Sequence, residues 1–502
     1  MNYKSVVNVI GFILIFLGLS MAFSVGWSVY YKDVDLNFSR DCIAQLKAMG
    51  TTVLSGLILV LGTYSKKKKK ELSIRDGFAI VALGWLFVAG FSALPFYFSS
   101  EISYVNSFFE AMSGLTTTGA SILGSSTIWI EDISHGIQFW RSFTHFIGGM
   151  GIIVFSIAIL PLLGIAGVQL FKAEVAGPTA DKLTPRIKQT AKYLWGIYLG
   201  LILIETLILY IEGRVLGIEK MELFDALCHS FGTMATGGFS TYNNSIQAFG
   251  HPVINWTIII FMFLAATNFT LHFLFLIKGS FDYLKNYEFK VYLKLVFFIS
   301  IFFFFSLYKS GHATELLQTI ENSVFYTVSL LTTTGFGTVD YMDWDQSTHT
   351  MIFVLLFIGG CAGSTTGGIK LIRTLLVFKY LKSVVRKLIH PNGVYPIRMG
   401  TKEIPENIVK SVAGFYLFYI LIFIGLALFI SLTSLGTDFQ TAISASASAI
   451  GNIGPGLGKI GPYDNWAHFS DLTKYIISFC MLLGRLEIFT VIILFSKTYW
   501  KR

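Results

Sequence analysis

Four times the chain breaks an apolar run at a glycine-centred turn: Thr116-Thr117-Thr118-Gly119, Met234-Ala235-Thr236-Gly237, Thr332-Thr333-Thr334-Gly335 and Gly451-Asn452-Ile453-Gly454. The turns follow short segments, such as residues 108–115 and 224–233, that are long enough for half a membrane span but not a whole one. Backbone that leaves helical geometry at membrane depth loses its hydrogen-bond partners. It is tolerated only where it is buried in protein or lines a watery cavity. Four interruptions in matching positions, spaced by roughly a hundred residues, therefore predict four loops set around one axis. That spacing is too long for a solenoid repeat.

The remainder of the 502-residue chain fits a polytopic membrane protein, since 54% hydrophobic and 13% charged residues cannot make a soluble surface. Apolar runs able to cross a bilayer occur near 6–30, 47–64, 76–98, 137–165, 192–212, 253–277, 289–308, 348–381, 408–432 and 470–498. An all-α membrane fold of about ten spanning helices follows. The first run is too long for a signal-peptide core and reads as a retained helix. Residues 1–70 form a two-helix extension, followed by pore repeats at 71–170, 185–285, 286–390 and 400–502. The third repeat has a broken second helix.

Alternate loops are rich in Lys and Arg: 66–70 with Arg75, 172–192, 278–294 and 379–410. The positive-inside bias puts these loops in the cytoplasm and the four turns on the other side. Both chain ends, carrying Lys4 and Lys497, Lys501 and Arg502, fall inside, as expected of a multi-pass protein in contact with membrane lipid. A net charge of +9 thus reflects topology, not nucleic-acid binding. Cys42, Cys228, Cys361 and Cys480 are scattered, with no metal-ligand spacing and no disulfide framework.

Aligned on the glycine, the turns share a register in which three of four have Thr immediately before it. A half-helix aimed at the axis presents the partially negative end of its dipole, which favours a cation there. A glycine at positive φ lets the adjoining carbonyls turn inward. Four such loops would offer rings of backbone oxygen in place of an ion's hydration shell, the principle of a potassium filter.

At these residues the sequence resembles the Trk/Ktr/HKT superfamily of potassium transporters, and its two extra N-terminal helices are similar to the TrkH branch. The resemblance also rests on Phe109-Glu110-Ala111-Met112-Ser113-Gly114, Ala235-Thr236-Gly237-Gly238-Phe239-Ser240-Thr241, Thr334-Gly335-Phe336-Gly337, Gly451-Asn452-Ile453-Gly454-Pro455-Gly456 and Gly484-Arg485-Leu486-Glu487. It implies Gly119, Gly237, Gly335 and Gly454 as filter glycines. The residues just before them, Thr117 and Thr118, Ala235 and Thr236, Thr333 and Thr334, Asn452 and Ile453, would donate carbonyls to the transported potassium. In plant relatives a serine in place of the first glycine goes with sodium preference, so Gly119 implies potassium. The resemblance further implies a homodimer that docks a cytosolic nucleotide-binding regulatory subunit of the TrkA type. The chain carries no dinucleotide fingerprint or organic cofactor motif of its own.

The eighth span is interrupted by Gly359-Gly360-Cys361-Ala362-Gly363-Ser364-Thr365-Thr366-Gly367-Gly368, where each Gly costs about 1 kcal/mol of helix stability. The helix should break there, and the resemblance implies an intramembrane gate loop beneath the filter. Lys370 either braces that loop or snorkels to the interface. Arg485, near the centre of the last span, needs water or a partner. The resemblance makes it an electrostatic barrier in the pore, and a buried pair with Glu487 or another carboxylate is the structural alternative. Glu131, Asp132, Asp340, Asp343 and Asp345 follow two of the turns on the outer side, either as a cation-concentrating mouth or as a solvated face. His145, His229 and His272 are isolated and read as packing or interfacial residues. No acid–base pair, nucleophile set or metal cluster recurs at one depth, so the chain is not an enzyme. A sodium-permeable or sodium- or proton-coupled transporter would use the same filter.

Overall fold

The computed structural model describes residues 2–32, 34–35, 37–64, 73–99, 102–124, 127–158, 187–311, 315–400, 402–434 and 436–500, with side chains left out at 74, 152–158 and 187–190. The basic stretch 66–70, most of the 172–192 loop, and Lys501 and Arg502 lie outside the described residues. Helices dominate: the only sheet among the described residues is a two-stranded hairpin, β1 (Arg398–Met399) with β2 (Lys402–Glu403).

Two long helices, α1 (Tyr3–Tyr30) and α2 (Phe38–Gly62), form the N-terminal hairpin. Their backbones approach closely at glycines. A Cβ on Gly56 would lie 2.7 Å from the Gly11 carbonyl oxygen, and one on Gly11 would lie 2.9 Å from that of Gly56. Small residues at a crossing substitute for the hydrophobic drive that lipid cannot supply. The pair is tied to the remainder where Ser24 Oγ donates to the Gly136 carbonyl at 2.6 Å.

The remaining helices repeat one theme, a long helix, a short buried one and a second long one. The first repeat has α3 (Ile74–Ser92) with α4 (Leu94–Ser99), then α5 (Tyr104–Leu115) and α6 (His135–Ala158). The second has α7 (Ile187–Leu216), α8 (Leu223–Met234), then α9 (Pro252–Ala265) and α10 (Phe269–Lys278). The third has α11 (Tyr287–Ser310), α12 (Leu316–Leu331), then α13 (Gln346–Leu355) and α14 (Leu371–Ile389). The fourth has α15 (Glu406–Thr433), α16 (Phe439–Gly451), α17 (Asp471–Arg485) and α18 (Phe489–Ile492). A last turn, α19 (Lys497–Trp500), brings Trp500 against Tyr3 with ring centroids 6.5 Å apart, so both chain ends lie at one end of the bundle.

Among the described residues six helices are long and apolar enough to span a membrane, or up to eight if each bent pair counts as one span. The bent pairs are α9–α10, which turns by 96°, and α17–α18, which turns by 111°. The short helices α5 and α8 have 12 residues each, or about 18 Å at 1.5 Å per residue, close to half the bilayer core. Two of the four short helices start at a side-chain cap. Ser103 accepts from the Asn106 amide ahead of α5, and Asp438 accepts from the Thr441 amide ahead of α16, each a side-chain cap for an orphan N–H.

Candidate ion pore

Each short helix ends in the same kind of turn. After α5 come left-handed Thr117 (φ 50°), then Thr118, then Gly119 (φ 81°). After α12 come Thr333 (φ 55°), Thr334 and Gly335 (φ 82°), and after α16 come Asn452 (φ 52°), Ile453 and Gly454 (φ 100°). The amide between the two left-handed residues reaches back into the helix: Thr118 to the Ser113 carbonyl at 2.9 Å, Thr334 to Ser329 at 2.9 Å and Ile453 to Ser448 at 3.1 Å. These bonds satisfy carbonyls that the helix end would otherwise orphan.

The second turn obeys the same rule one residue later than its sequence alignment predicts. Its left-handed residues are Thr236 (φ 55°) and Gly238 (φ 78°), and the reaching amide is Gly237, to the Gly232 carbonyl at 2.8 Å. Gly238, not Gly237, is therefore the counterpart of Gly119, Gly335 and Gly454. Gly237 corresponds to Thr118, Thr236 to Thr117, and Ala235 to the helix-capping Thr116.

With that register the geometry closes on itself. A Cβ on Gly119 would strike the Gly237 carbonyl oxygen, one on Gly238 that of Thr334, one on Gly335 that of Ile453, and one on Gly454 that of Thr118. Each loop abuts the next, and the fourth returns to the first. Four equivalent carbonyls, of Thr118, Gly237, Thr334 and Ile453, sit where the loops meet. Asn452 Nδ2 adds a bond to Thr118 Oγ1 at 3.0 Å and another to the Met481 carbonyl at 2.8 Å. The same four glycines, Gly119, Gly238, Gly335 and Gly454, line a vestibule together with Ser121, Arg141, Ser240 and Asp464.

The acidic residues expected at this mouth divide. Asp345 caps α13 by accepting from the Ser347 amide at 3.1 Å, and Glu131 accepts from the Asn243 amide at 2.9 Å, so both are occupied structurally. Burial, then the Asp343 and Asp464 charges, push Asp340 above the usual carboxylate range, against a hydrogen bond from the Met342 amide. Asp464, which the sequence reading passed over, lines the vestibule itself.

Residues 356–370, between α13 and α14, form the loop that breaks the eighth span. Its neck is closed by Gly359 N–H to the Ile369 carbonyl at 2.9 Å and by Leu371 N–H to that of Gly360 at 3.1 Å. Gly363 (φ 72°) and Gly368 (φ 63°) make the reversals. The loop runs beneath the ring. The Gly367 amide donates to Thr333 Oγ1 at 2.8 Å, and Thr365 Oγ1 donates to the Met234 carbonyl at 3.0 Å. Ser364 Oγ and Thr366 Oγ1 face each other at 2.8 Å, and Gly360 packs 2.9 Å, at the position a Cβ would take, from the Ala266 carbonyl.

Two cations converge on the loop. Lys370 Nζ donates to Thr366 Oγ1 at 2.9 Å and to the Thr366 carbonyl, so it braces the loop rather than snorkelling. Arg485, 2% exposed, spends its guanidinium on the Thr365 carbonyl at 2.6 Å and the Gly148 carbonyl at 3.2 Å. Glu487 pairs instead with Arg373, at 2.6 Å. Among the described residues Arg485 makes no ion pair, so its charge stays uncompensated beside the loop.

Glu288, at the start of α11, was not singled out by sequence. One of its oxygens accepts from the Ala362 amide at 2.9 Å and from the Ile372 amide at 3.0 Å, tying the loop to the helix that follows it. Glu288→Ala leaves two buried amides unmet, at about 1–3 kcal/mol each. The expected result is a melting temperature in detergent lowered by several degrees, with Glu288→Gln, which keeps an acceptor oxygen, close to the parent. Equal melting of all three proteins would rule out this tie.

Comparison with known proteins places these features in a family. The sequence profile of the TrkH family, described as "Cation transport protein", matches residues 48–502. The chain is 38% identical over 506 residues to the Trk system potassium uptake protein TrkH of Escherichia coli K12, covering all of both chains. It is 35% identical over 509 residues to the TrkH of Halomonas elongata, again over the whole of both. The crystal structure of the potassium transporter TrkH from Vibrio parahaemolyticus superposes with a TM-score of 0.87 at 34% identity, covering 100% of each chain.

Proposed function

The chain belongs to the TrkH family of cation transport proteins, and from that premise we propose that its four closed loops are the selectivity filter of a potassium uptake pathway. The protein translocates potassium across a bacterial membrane and is not an enzyme. In this reading Thr117, Thr118, Gly119, Thr236, Gly237, Gly238, Thr333, Thr334, Gly335, Asn452, Ile453 and Gly454 form the filter. The observation that carries it is the cyclic abutment of each left-handed glycine on the carbonyl of the next loop. Four backbone oxygens at one level can replace the shell of a large, weakly hydrated cation without a carboxylate at the narrowest point. The four short helices aim their partially negative ends at the same place, and Asp464 adds negative charge at the entrance.

Beneath the filter, the 359–368 segment, braced by Lys370 and pinned by Arg485, is the gate in this reading. The charged loops beyond it are the cytoplasmic face, with both chain ends on that side. Relatives are named as parts of a Trk system, in keeping with a cytosolic nucleotide-binding subunit of the TrkA type docking on that face of a homodimer.

The test is growth of a potassium-uptake-deficient bacterium at low potassium, together with reversal potentials of the purified protein in liposomes at varied potassium, sodium and pH. Rescue with a reversal potential that follows the potassium gradient is expected. A reversal potential that tracks sodium, or no rescue by protein present in the membrane, would overturn the filter assignment. Dependence on the pH gradient as well would indicate coupling to protons.

A further inference from the structure

Behind the ring, each short helix carries a different side chain at one register, seven residues before the left-handed residue that opens its turn: Glu110 in α5, His229 in α8, Tyr326 in α12 and Ala445 in α16. Three of them hold the strand that leaves their own turn. Glu110 accepts from Ser121 Oγ and from the Ile122 amide, both at 2.9 Å. His229 Nε2 meets Ser240 Oγ at 2.9 Å, and the Tyr326 hydroxyl accepts from the Thr338 and Val339 amides at 3.1 Å. In the fourth repeat, where Ala445 has no polar group, the neighbouring Ser444 Oγ accepts from the Leu457 amide at 3.0 Å.

Only the first of these braces is ionic, and only it reaches a second loop. Arg141, 3% exposed on α6, donates from Nε to Glu110 at 2.6 Å and from Nη1 to the Ser240 carbonyl at 2.7 Å. Its guanidinium lies 3.7 Å from the ring centroid of Phe239, the residue directly after Gly238. Two turns that are otherwise separate chain segments are thus fastened at their outer ends by one rigid, planar fork. Arg141 also lines the vestibule, where an unpaired positive charge would oppose an entering cation, and Glu110 neutralises it.

We propose that the Glu110–Arg141 pair is a specificity-determining clamp. It fixes the spacing of the first and second filter turns and at the same time cancels the one guanidinium charge among the vestibule's lining residues. The proposal rests on the filter reading above. Two functions in one pair make separable predictions, because position and charge answer to different variants. Glu110→Gln loosens the clamp and leaves Arg141 unpaired, so both the potassium-over-sodium permeability ratio and the potassium flux should fall. The ratio should drop about tenfold, the equilibrium equivalent of one hydrogen bond to a charged group. The double variant Glu110→Gln/Arg141→Gln removes the stranded charge. Flux should recover while the ratio stays low.

The experiment is reversal-potential and flux measurement on full-length protein in liposomes under opposed potassium and sodium gradients, with Gly119→Ser run in parallel. A parental ratio in both Glu110→Gln and the double variant would overturn the clamp if Gly119→Ser lowers the ratio. If Gly119→Ser leaves the ratio unchanged, the filter reading fails instead. Flux and ratio that remain low together in the double variant would overturn the charge-cancelling role. Should the charge variants not fold, Ser121→Ala, which deletes a single bond to Glu110, replaces them. A reduced ratio is expected there, and an unchanged one would overturn the proposal.

Discussion

Gly238→Ala and Gly119→Ser are expected to collapse the preference for potassium over sodium, whereas the adjacent Gly237→Ala should act by a different route. Gly119 and Gly238 hold φ of 81° and 78°, a region that costs an L-residue roughly 1–2 kcal/mol. In addition, each would drive its Cβ into a carbonyl oxygen of the next loop, Gly237 for Gly119 and Thr334 for Gly238. That neighbour is backbone already bonded into its helix end, so it cannot swing aside without changing the ring. The measured permeability ratio should fall by about tenfold or more, since 1.4 kcal/mol of lost discrimination suffices for that. Gly237 is different. A Cβ there meets the His145 imidazole first, at 2.6 Å. His145→Ala, which vacates that space, should therefore relieve Gly237→Ala but not Gly238→Ala. Relief of both, or of neither, would count against the register that pairs Gly238 with Gly119.

That register shows what the amino-acid order can and cannot carry. The four turns, the short helices before them and the broken eighth span are all legible, because membrane depth leaves few ways to accommodate glycine and threonine in apolar surroundings. The second turn misleads because it contains two consecutive glycines, and alignment on glycine alone cannot choose between Gly237 and Gly238. The discriminating signal was present in the residue that follows: Phe239 after Gly238 matches Phe336 after Gly335.

Pairings over long sequence distances were not legible in the same way. His145 and His229 read as packing or interfacial residues, yet His145 Nδ1 sits 2.8 Å from the Gly114 carbonyl while its Nε2 accepts from the Phe239 amide at 3.1 Å. His145 thus joins the first short helix to the second turn. Glu487, two residues from Arg485, was one candidate partner for it in the structural alternative. The chain between them makes a sharp corner, with Glu487 (φ 57°) and Ile488 (φ 50°) both left-handed, and this turns the carboxylate toward Arg373. Adjacency in sequence fails at a corner because successive side chains no longer share a face. Strained backbone of this kind, of order 1–3 kcal/mol per residue, persists only where surrounding contacts over-determine it. Here the Arg373–Glu487 pair and the fully buried Ile488 side chain do so.

Releasing Arg485 from its carbonyl partners has the second large expected effect. Arg485→Gln should raise basal potassium flux through the purified protein. The side chain acts in two ways. As a buried charge with no carboxylate partner among the described residues, it would raise the energy of a cation at a separation of about 8 Å by about 2 kcal/mol at an effective dielectric of about 20. As a donor, it pins Thr365 of the intramembrane loop to Gly148 of α6, while the same loop hangs from the ring through Thr365 Oγ1 to Met234 and Gly367 N–H to Thr333. The charge effect alone corresponds to a rise of about thirtyfold in rate if passage past Arg485 limits transport. Arg485→Lys separates the two contributions. It keeps the charge but loses the planar fork that reaches both carbonyls, so flux that stays low in Arg485→Lys assigns the barrier to charge. Flux that rises as far as in Arg485→Gln assigns it to the tether on the loop. A fall in flux in both variants, at parental protein levels and with intact melting, would mean that Arg485 holds the pore together rather than closing it.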